Sequence, residues 1–187
     1  MHDRDVFKVS EQWRAKAHVN AEQYHQLYKD SINNPDRFWA KQAEEFIWHK
    51  RWDDVKDTSL TSPVRIDWFK GATLNITENC IDRHLAHHKD QTAIIWEGDS
   101  PSNIRHLTYG ELHAEVCLFA NVLKKLGAKK GDRITLYMPM IPEAVMAILA
   151  CARIGAVHSV VFGGFAAREL ATRIDDSEPR VLLSASC

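Results

Sequence analysis

Residues 159–170 read SVVFGGFAAREL: an apolar run, two adjacent glycines, then a helix-like stretch. Glycines between a strand and a helix do one of two things. They let backbone amides and the positive end of the next helix approach an anion, or they let the chain turn. The carboxyl end of a parallel strand is also where open α/β sheets take their ligands. The spacing matches neither G-x-G-x-x-G nor G-x-x-x-x-G-K-S/T. On the residues alone both readings stay open, and the spacing favours the plain turn.

Other candidates carry less chemistry. His84, His87 and His88 in DRHLAHHKD stand at i, i+3 and i+4 and would share a helix face, which raises a metal site. Their flanks are charged and no carboxylate or cysteine completes the set, so a solvated helix end is expected and no metal ligand is assigned. Cys80 and His84 are also i, i+4, but nothing marks the thiol as activated. MPMIPEAV, residues 138–145, reads as a rigid strand–helix connection. Arg153 is a charge on an otherwise apolar helix, expected to meet that helix's dipole and last carbonyls. Arg173, Asp175 and Asp176 read as a solvated helix end. No nucleophile–base pair, phosphate loop with lysine or carboxylate cluster is visible, so no catalytic residue is assigned.

The elements that must position these residues become regular from Thr108. Thr108-Tyr-Gly-Glu111 is a capping box, followed by Leu112, Val116, Phe119, Ala120 and Leu123 at helical spacing. Gly127 ends that helix and Lys130-Gly131-Asp132 turns the chain into a strand, Arg133–Met138. Pro142 opens a second helix, almost uniformly apolar through Ala144, Ile148, Cys151 and Ala152 and expected to be deeply buried; Gly155 stops it. Val157–Phe162 is the next strand. Ala167, Leu170, Ala171 and Ile174 line a third helix, Pro179 breaks it, and 181–185 is a further strand. Short apolar strands alternating with helices imply βαβ crossovers and a parallel sheet covered on both faces. Upstream, a helix is expected around Glu78–His88, and Thr92–Trp96 pairs with Ile104–Leu107 across the GDSPSN loop as a hairpin.

Residues 1–68 differ in character. They hold Trp13, Trp39, Trp48, Trp52 and Trp68, five of the six tryptophans. Asn34, Pro35 and Asp36 mark a helix start, with Phe38, Gln42, Ala43 and Phe46 on one face. Little strand pattern is visible. Helices and irregular chain are expected, with tryptophans as anchors for a partner surface.

Composition bounds the function. The chain has 187 residues, 45% hydrophobic and 26% charged, with a net charge of −1. That balance argues against a nucleic-acid partner. The start of the chain lacks the apolar core of a secretory signal, and the apolar stretch 138–161 is interrupted by prolines and charges, unlike a membrane span. Cys80, Cys117, Cys151 and Cys187 have neither metal nor redox spacing and read as free thiols in a reducing cytosol. The chain stops directly after an apolar strand, which suggests the N-terminal part of a longer polypeptide.

Several segments resemble one family. KGATLNITENCIDRHL, IIWEGD, LTYGELHAEVCLFANVLKKLGAKKGDR and YMPMIPEAVMAILACARIGAVHSVVFGGF are similar to AMP-forming acetyl-CoA synthetases, members of the adenylate-forming superfamily. YHQLYKDSINNPDRFW with KRWDDV resembles the N-terminal module of acetyl- and propionyl-CoA synthetases. The resemblance runs from about Tyr24 to the end of the chain. It implies an α/β fold, part of a layered parallel-sheet domain. Residues 69–187 would begin the AMP-binding domain, after a largely helical, Trp-rich module at 1–68. The implied activity is an acetate–CoA ligase that makes acetyl-adenylate and pyrophosphate from ATP, then acetyl-CoA and AMP. ATP, Mg²⁺ and coenzyme A would serve the full-length enzyme, with the rest of its own polypeptide as partner and the cytoplasm as its place.

By position in the family motif, Phe162, Gly163 and Gly164 inherit a place beside the nucleotide end of CoA. The phosphate loop, acyl pocket and lid lysine of the family have no counterpart in this stretch. No ATP-binding residue is therefore assigned, and the chain alone is expected to be inactive and to hold no cofactor tightly. A propionyl-CoA synthetase is the alternative within the class; a non-catalytic CoA- or nucleotide-binding or assembly module is the alternative outside it.

Overall fold

The protein is described by a computed structural model covering residues 8–185. Residues 1–7 and 186–187 lie outside the described residues, so the expectations drawn on them, Cys187 included, stay at the level of sequence. The chain divides into two compact units, Met1–Phe46 with Lys50–Ala72, and Ile47–His49 with Thr73–Cys187.

In the first unit, α1 (Glu11–Lys16), α2 (Ala21–Asn33) and α3 (Pro35–Ala43) precede an antiparallel ribbon, β1 (Asp54–Ser59) with β2 (Arg65–Lys70). A reciprocal box starts α2: Asn20 Oδ1 accepts from Gln23 N and Gln23 Oε1 accepts from Asn20 N, both at 2.9 Å. Pro35 opens α3 as expected and Asn34 stands at its N-cap, but the Asn34 side chain makes no cap bond. Asn34 Nδ2 donates instead to Asp30 Oδ1 at 3.0 Å, because Asn34 also closes α2.

The ribbon is absent from the sequence reading. DVKDTS and RIDWFK lack the alternation of a half-buried strand, and no ribbon residue is fully buried. Cross-strand charge and aromatic contacts hold it instead. Asp57 accepts from Arg65 Nη2 at 2.6 Å and Lys70 Nζ at 2.7 Å. Ring contacts run Phe38–Trp39 at 5.1 Å, Trp39–Trp68 at 6.2 Å, Trp68–Phe69 at 6.2 Å and Phe69–Trp52 at 5.3 Å. These tryptophans pack on one another and on phenylalanines within the unit, whereas Trp13 is 73% exposed.

In the second unit, the helix expected over Glu78–His88 is three short pieces: α4 (Ile76–Cys80), a 3₁₀ turn (Asp82–His84) and α5 (Leu85–His88). Ile81 leaves helical geometry at φ −126°, ψ −65°, and its side chain is buried in the core. The expected hairpin forms from β3 (Thr92–Glu97) and β4 (Ile104–Thr108). Then α6 (Tyr109–Lys125), β5 (Arg133–Met138), α7 (Pro142–Ile154), β6 (Val157–Phe162), α8 (Ala167–Ser177) and β7 (Val181–Ser184) follow in the alternation read from the sequence. The three strands β5–β7 are parallel in the order β6-β5-β7.

Local signals explain these boundaries. Glu111 N donates to Thr108 Oγ1 at 3.2 Å and Thr108 N donates to Glu111 Oε2 at 2.8 Å, which holds the Glu111 carboxyl below its usual range through the Thr108 amide first. Gly127 and Gly155 end α6 and α7 in left-handed geometry, φ +87° and +73°, which only glycine adopts without strain. The core is aliphatic: Val116 and Leu123 of α6, Ile134 and Leu136 of β5, and Ala147 and Cys151 of α7 are buried together.

The burial of α7 and β6 also differs from expectation. Within α7, Ala144, Ile148 and Ala152 are only partly buried; Met146, Ala147, Ala150 and Cys151 form its inner face. And β6 is not covered on both faces. Val160 is 58% and Phe162 63% exposed, whereas Val161 on the other face of the strand is 1% exposed, so only one face of β6 is packed on the core.

Arg153 also departs from its expected partner. Its Nη2 and Nη1 donate to Asp82 Oδ1 at 2.6 Å and Oδ2 at 3.2 Å. The carbonyls at the end of α7 are met instead by Asn75, whose Nδ2 donates to Ala152 O at 3.3 Å and Arg153 O at 3.1 Å. Asn75 Oδ1 meanwhile accepts from Thr77 N at 2.9 Å. One side chain thus caps the start of α4 and the end of α7.

Candidate functional site

The site is built at the carboxyl ends of the parallel strands. Register pairs Met138 with Phe162, and Tyr137 with both Val161 and Ser184, so β5, β6 and β7 end side by side. There an open groove of about 640 Å³ is lined by Met138, Met140, Phe162, Gly163, Gly164 and Leu182, among others. The lining is mainly apolar, with no cationic side chain among the described residues that form it.

The glycine loop frames this groove. Phe162 is the last residue of β6 and Gly163–Gly164 form a turn, closed where Phe165 N–H donates to the Phe162 carbonyl at 3.0 Å. Neither glycine is in the left-handed region. At Gly163 it is the nearby backbone, not φ, that favours glycine. A Cβ on Gly163 would stand 3.1 Å from the Met138 carbonyl oxygen, and one on Gly164 would stand 2.7 Å from the Phe162 ring. The structure therefore brings Phe162, Gly163 and Gly164 together on the groove wall, with the Phe162 ring presented to solvent.

Ala166 stands at the N-cap of α8 without a side-chain cap bond, and Glu169 lies in the first turn. Glu169 N and Leu170 N donate to Ala166 O at 3.0 and 3.2 Å, and an acidic residue in the first turn suits the positive end of the dipole. Arg173 is not simply solvated. Its guanidinium carbon lies 5.2 Å from the Phe165 ring centre, within cation–π range, while Asp175 and Asp176 are exposed.

The 138–145 connection is the rigid link its prolines suggest. Ile141 N donates to Pro139 O at 2.9 Å and Pro142 starts α7. Two hairpin residues hold it: Trp96 Nε1 donates to Met140 O at 2.7 Å, and Arg105 Nη1 donates to Glu143 Oε1 at 2.7 Å. For the Glu143 carboxyl, desolvation is the largest single influence and raises its pKa, yet Arg105 helps bring the net shift downward.

The histidine trio does not converge. His84 ends the 3₁₀ turn whereas His87 and His88 lie in α5, and the His84 and His88 ring centres are 6.1 Å apart. Among the described residues no group of three or more His, Cys, Asp or Glu could hold a metal ion. Cys80 closes α4, apart from His84, and desolvation first of all raises its thiol pKa, the reverse of activation. Cys151 is buried and pushed up to about 11 for the same reason. Cys80, Cys117 and Cys151 are free thiols. No helix among the described residues is long and apolar enough to cross a membrane.

The chain as a whole is similar to known proteins. Residues 81–187 match the family described as AMP-binding enzyme, and residues 24–80 match the one described as acetyl-coenzyme A synthetase N-terminus. A protein named acetyl-coenzyme A synthetase from Parvibaculum lavamentivorans is 54% identical over 97% of this chain. Another of that name, from Methylobacterium radiotolerans, is 51% identical over 96% of the chain. In both cases the match covers 28% of the relative, so the chain spans less than a third of their length. The solved acetoacetyl-CoA synthetase from Streptomyces lividans superposes with a TM-score of 0.78 at 29% identity, over 93% of this chain and 27% of that one.

Proposed function

Since this chain belongs to the AMP-binding enzyme family, we propose that it serves as the N-terminal part of an AMP-forming acetate–CoA ligase. The observation that carries the reading is 54% identity over 97% of the chain to a protein named acetyl-coenzyme A synthetase. The 29% identity to an acetoacetyl-CoA synthetase makes acetate the better-supported acyl group.

In this reading an acetate oxygen attacks the α-phosphorus of ATP. The bond to pyrophosphate breaks and acetyl-adenylate forms. The CoA thiol, giving up its proton, then attacks the acetyl carbonyl and AMP leaves. Mixed-anhydride formation makes AMP the good leaving group that acetate itself lacks. Phe162, Gly163 and Gly164 lie beside the nucleotide end of CoA. The exposed ring offers a flat apolar face, and the side-chain-free turn lets a ligand reach the backbone. The apolar groove supplies contact without charge, so the cations that meet phosphate come from polypeptide outside this stretch. The described residues offer no ligand set fitting the Mg²⁺ of such a reaction, and no step is assigned to a metal here. The enzyme works in the cytoplasm on small molecules, without nucleic acid or membrane. The 187-residue chain alone is inactive.

Acetate-dependent exchange of pyrophosphate into ATP, followed by acetyl-CoA formation, tests this on the product of the complete reading frame. The expected result is exchange with acetate and release of AMP in step with acetyl-CoA. Turnover preferring propionate would move the reading to the propionyl enzyme, and no carboxylate-dependent exchange would overturn it. The 187-residue chain assayed by itself is expected to show neither half-reaction.

A further inference from the structure

The glycine loop is held by groups that the glycines themselves do not announce. Tyr137, near the end of β5, donates its hydroxyl to the Phe165 carbonyl at 2.7 Å. Arg173 covers the Phe165 ring, its guanidinium carbon 5.2 Å from the ring centre. The Phe165 ring in turn meets the Phe162 ring edge to face at 5.7 Å. A side chain at position 163 would crowd the Met138 carbonyl, so the close approach of the loop to β5 suits glycine. The exposed Phe162 ring is therefore set by a chain of contacts running from Tyr137 through Phe165.

We propose that Tyr137 is a positioning residue for the CoA step: its hydroxyl fixes the Phe165 carbonyl and so orients the Phe162 ring and the glycine turn that face the nucleotide of CoA. This rests on the CoA reading of the loop. Tyr137 is half-buried and its ring lines the groove. Tyr137→Phe keeps the ring and removes the hydroxyl, so the strand and its packing stay in place. The lost hydrogen bond weakens CoA binding by about fivefold. It leaves adenylate formation alone, because that half-reaction needs no CoA.

The test compares the complete enzyme with its Tyr137→Phe and Phe162→Ala variants, measuring the KM for CoA, kcat and CoA-independent ATP–pyrophosphate exchange. In parallel, hydrogen exchange of amides 163–167 is followed in the 187-residue chain and in its Tyr137→Phe form. Tyr137→Phe is expected to raise the KM for CoA about fivefold with exchange into ATP unchanged, and to speed loop amide exchange while β5 stays protected. Loop amides that exchange no faster would overturn the proposal. If Phe162→Ala raises the KM for CoA and Tyr137→Phe does not, the positioning role fails and the CoA reading stands. If neither variant moves it, the CoA reading fails and takes the proposal with it. Equal loss in both half-reactions for Tyr137→Phe would make the residue structural only, which also overturns it.

Discussion

The two units are held together by different physics. The second has a continuous aliphatic core in which Val116, Leu123, Ile134, Ala147 and Cys151 are fully buried. Among the described residues of the first, only Ala43 is buried; aromatic rings in a row and paired charges do the rest. Burial of apolar surface is worth about 25 cal/mol per Å², whereas exposed ion pairs contribute about 0–1 kcal/mol each. The unit with the core rests on buried apolar packing. The unit without it depends on a few specific contacts, and on pH.

Truncation should separate the two most sharply. Leu123→Ala, deep in the second unit, should cost about 3 kcal/mol, read as a lowered urea midpoint followed by far-UV circular dichroism. Trp68→Ala in the first unit removes contacts with Trp39 and Phe69 on a half-exposed ring. It should cost about 1–2 kcal/mol, with amide exchange speeding up in β1 and β2 only. An equal loss for both variants would mean that the ring row is as strong as the core.

Acid gives a gentler contrast. Asp57 has its pKa held down by the bond from Lys70 first and then Arg65, and Asp30 likewise by Arg37 and then Asn34. A carboxyl depressed in the folded state stabilises fully above its unfolded pKa, about 3.9, and loses that contribution as pH falls through the lower folded value. Amide shifts of the ribbon should therefore begin to move below about pH 4, before those of β5 and β6. Asp57→Asn should abolish most of that movement. The smallest effect lies at the end of α8, where Glu178 closes the helix in left-handed geometry at φ +43°. Arg133 Nε donates to Ser177 O at 2.7 Å and its Nη2 to Glu178 O at 3.2 Å. These bonds use backbone oxygens and survive substitution, so Glu178→Gly should stabilise by about 1 kcal/mol or less, seen as a small rise in Tm.

The same contrast governs what the sequence discloses. Arg133–Met138, Val157–Phe162 and the Thr108–Glu111 box are legible because propensity, capping and burial agree over a few adjacent residues. The ribbon is illegible because a two-stranded element with no buried face carries no alternation; its logic is Asp57 meeting Arg65 and Lys70 across the turn. Long-range partnerships are equally silent. Arg153 reaches Asp82, and Asn75 reaches the end of α7, across more than 70 residues of chain. The site follows this rule. SVVFGGF marks the candidate place on the sheet, while the backbone that crowds position 163 is that of Met138, and the brace lies in Tyr137 and Arg173.

The central claim is that this loop serves the CoA half of an acetate–CoA ligase and not its ATP half. Phe162→Ala in the complete enzyme tests it directly, since Phe162 is largely exposed and its loss leaves the fold intact. The account predicts a raised KM for CoA with acetate-dependent ATP–pyrophosphate exchange at the wild-type rate. An unchanged KM for CoA, or a fall in the exchange rate to match, would contradict it.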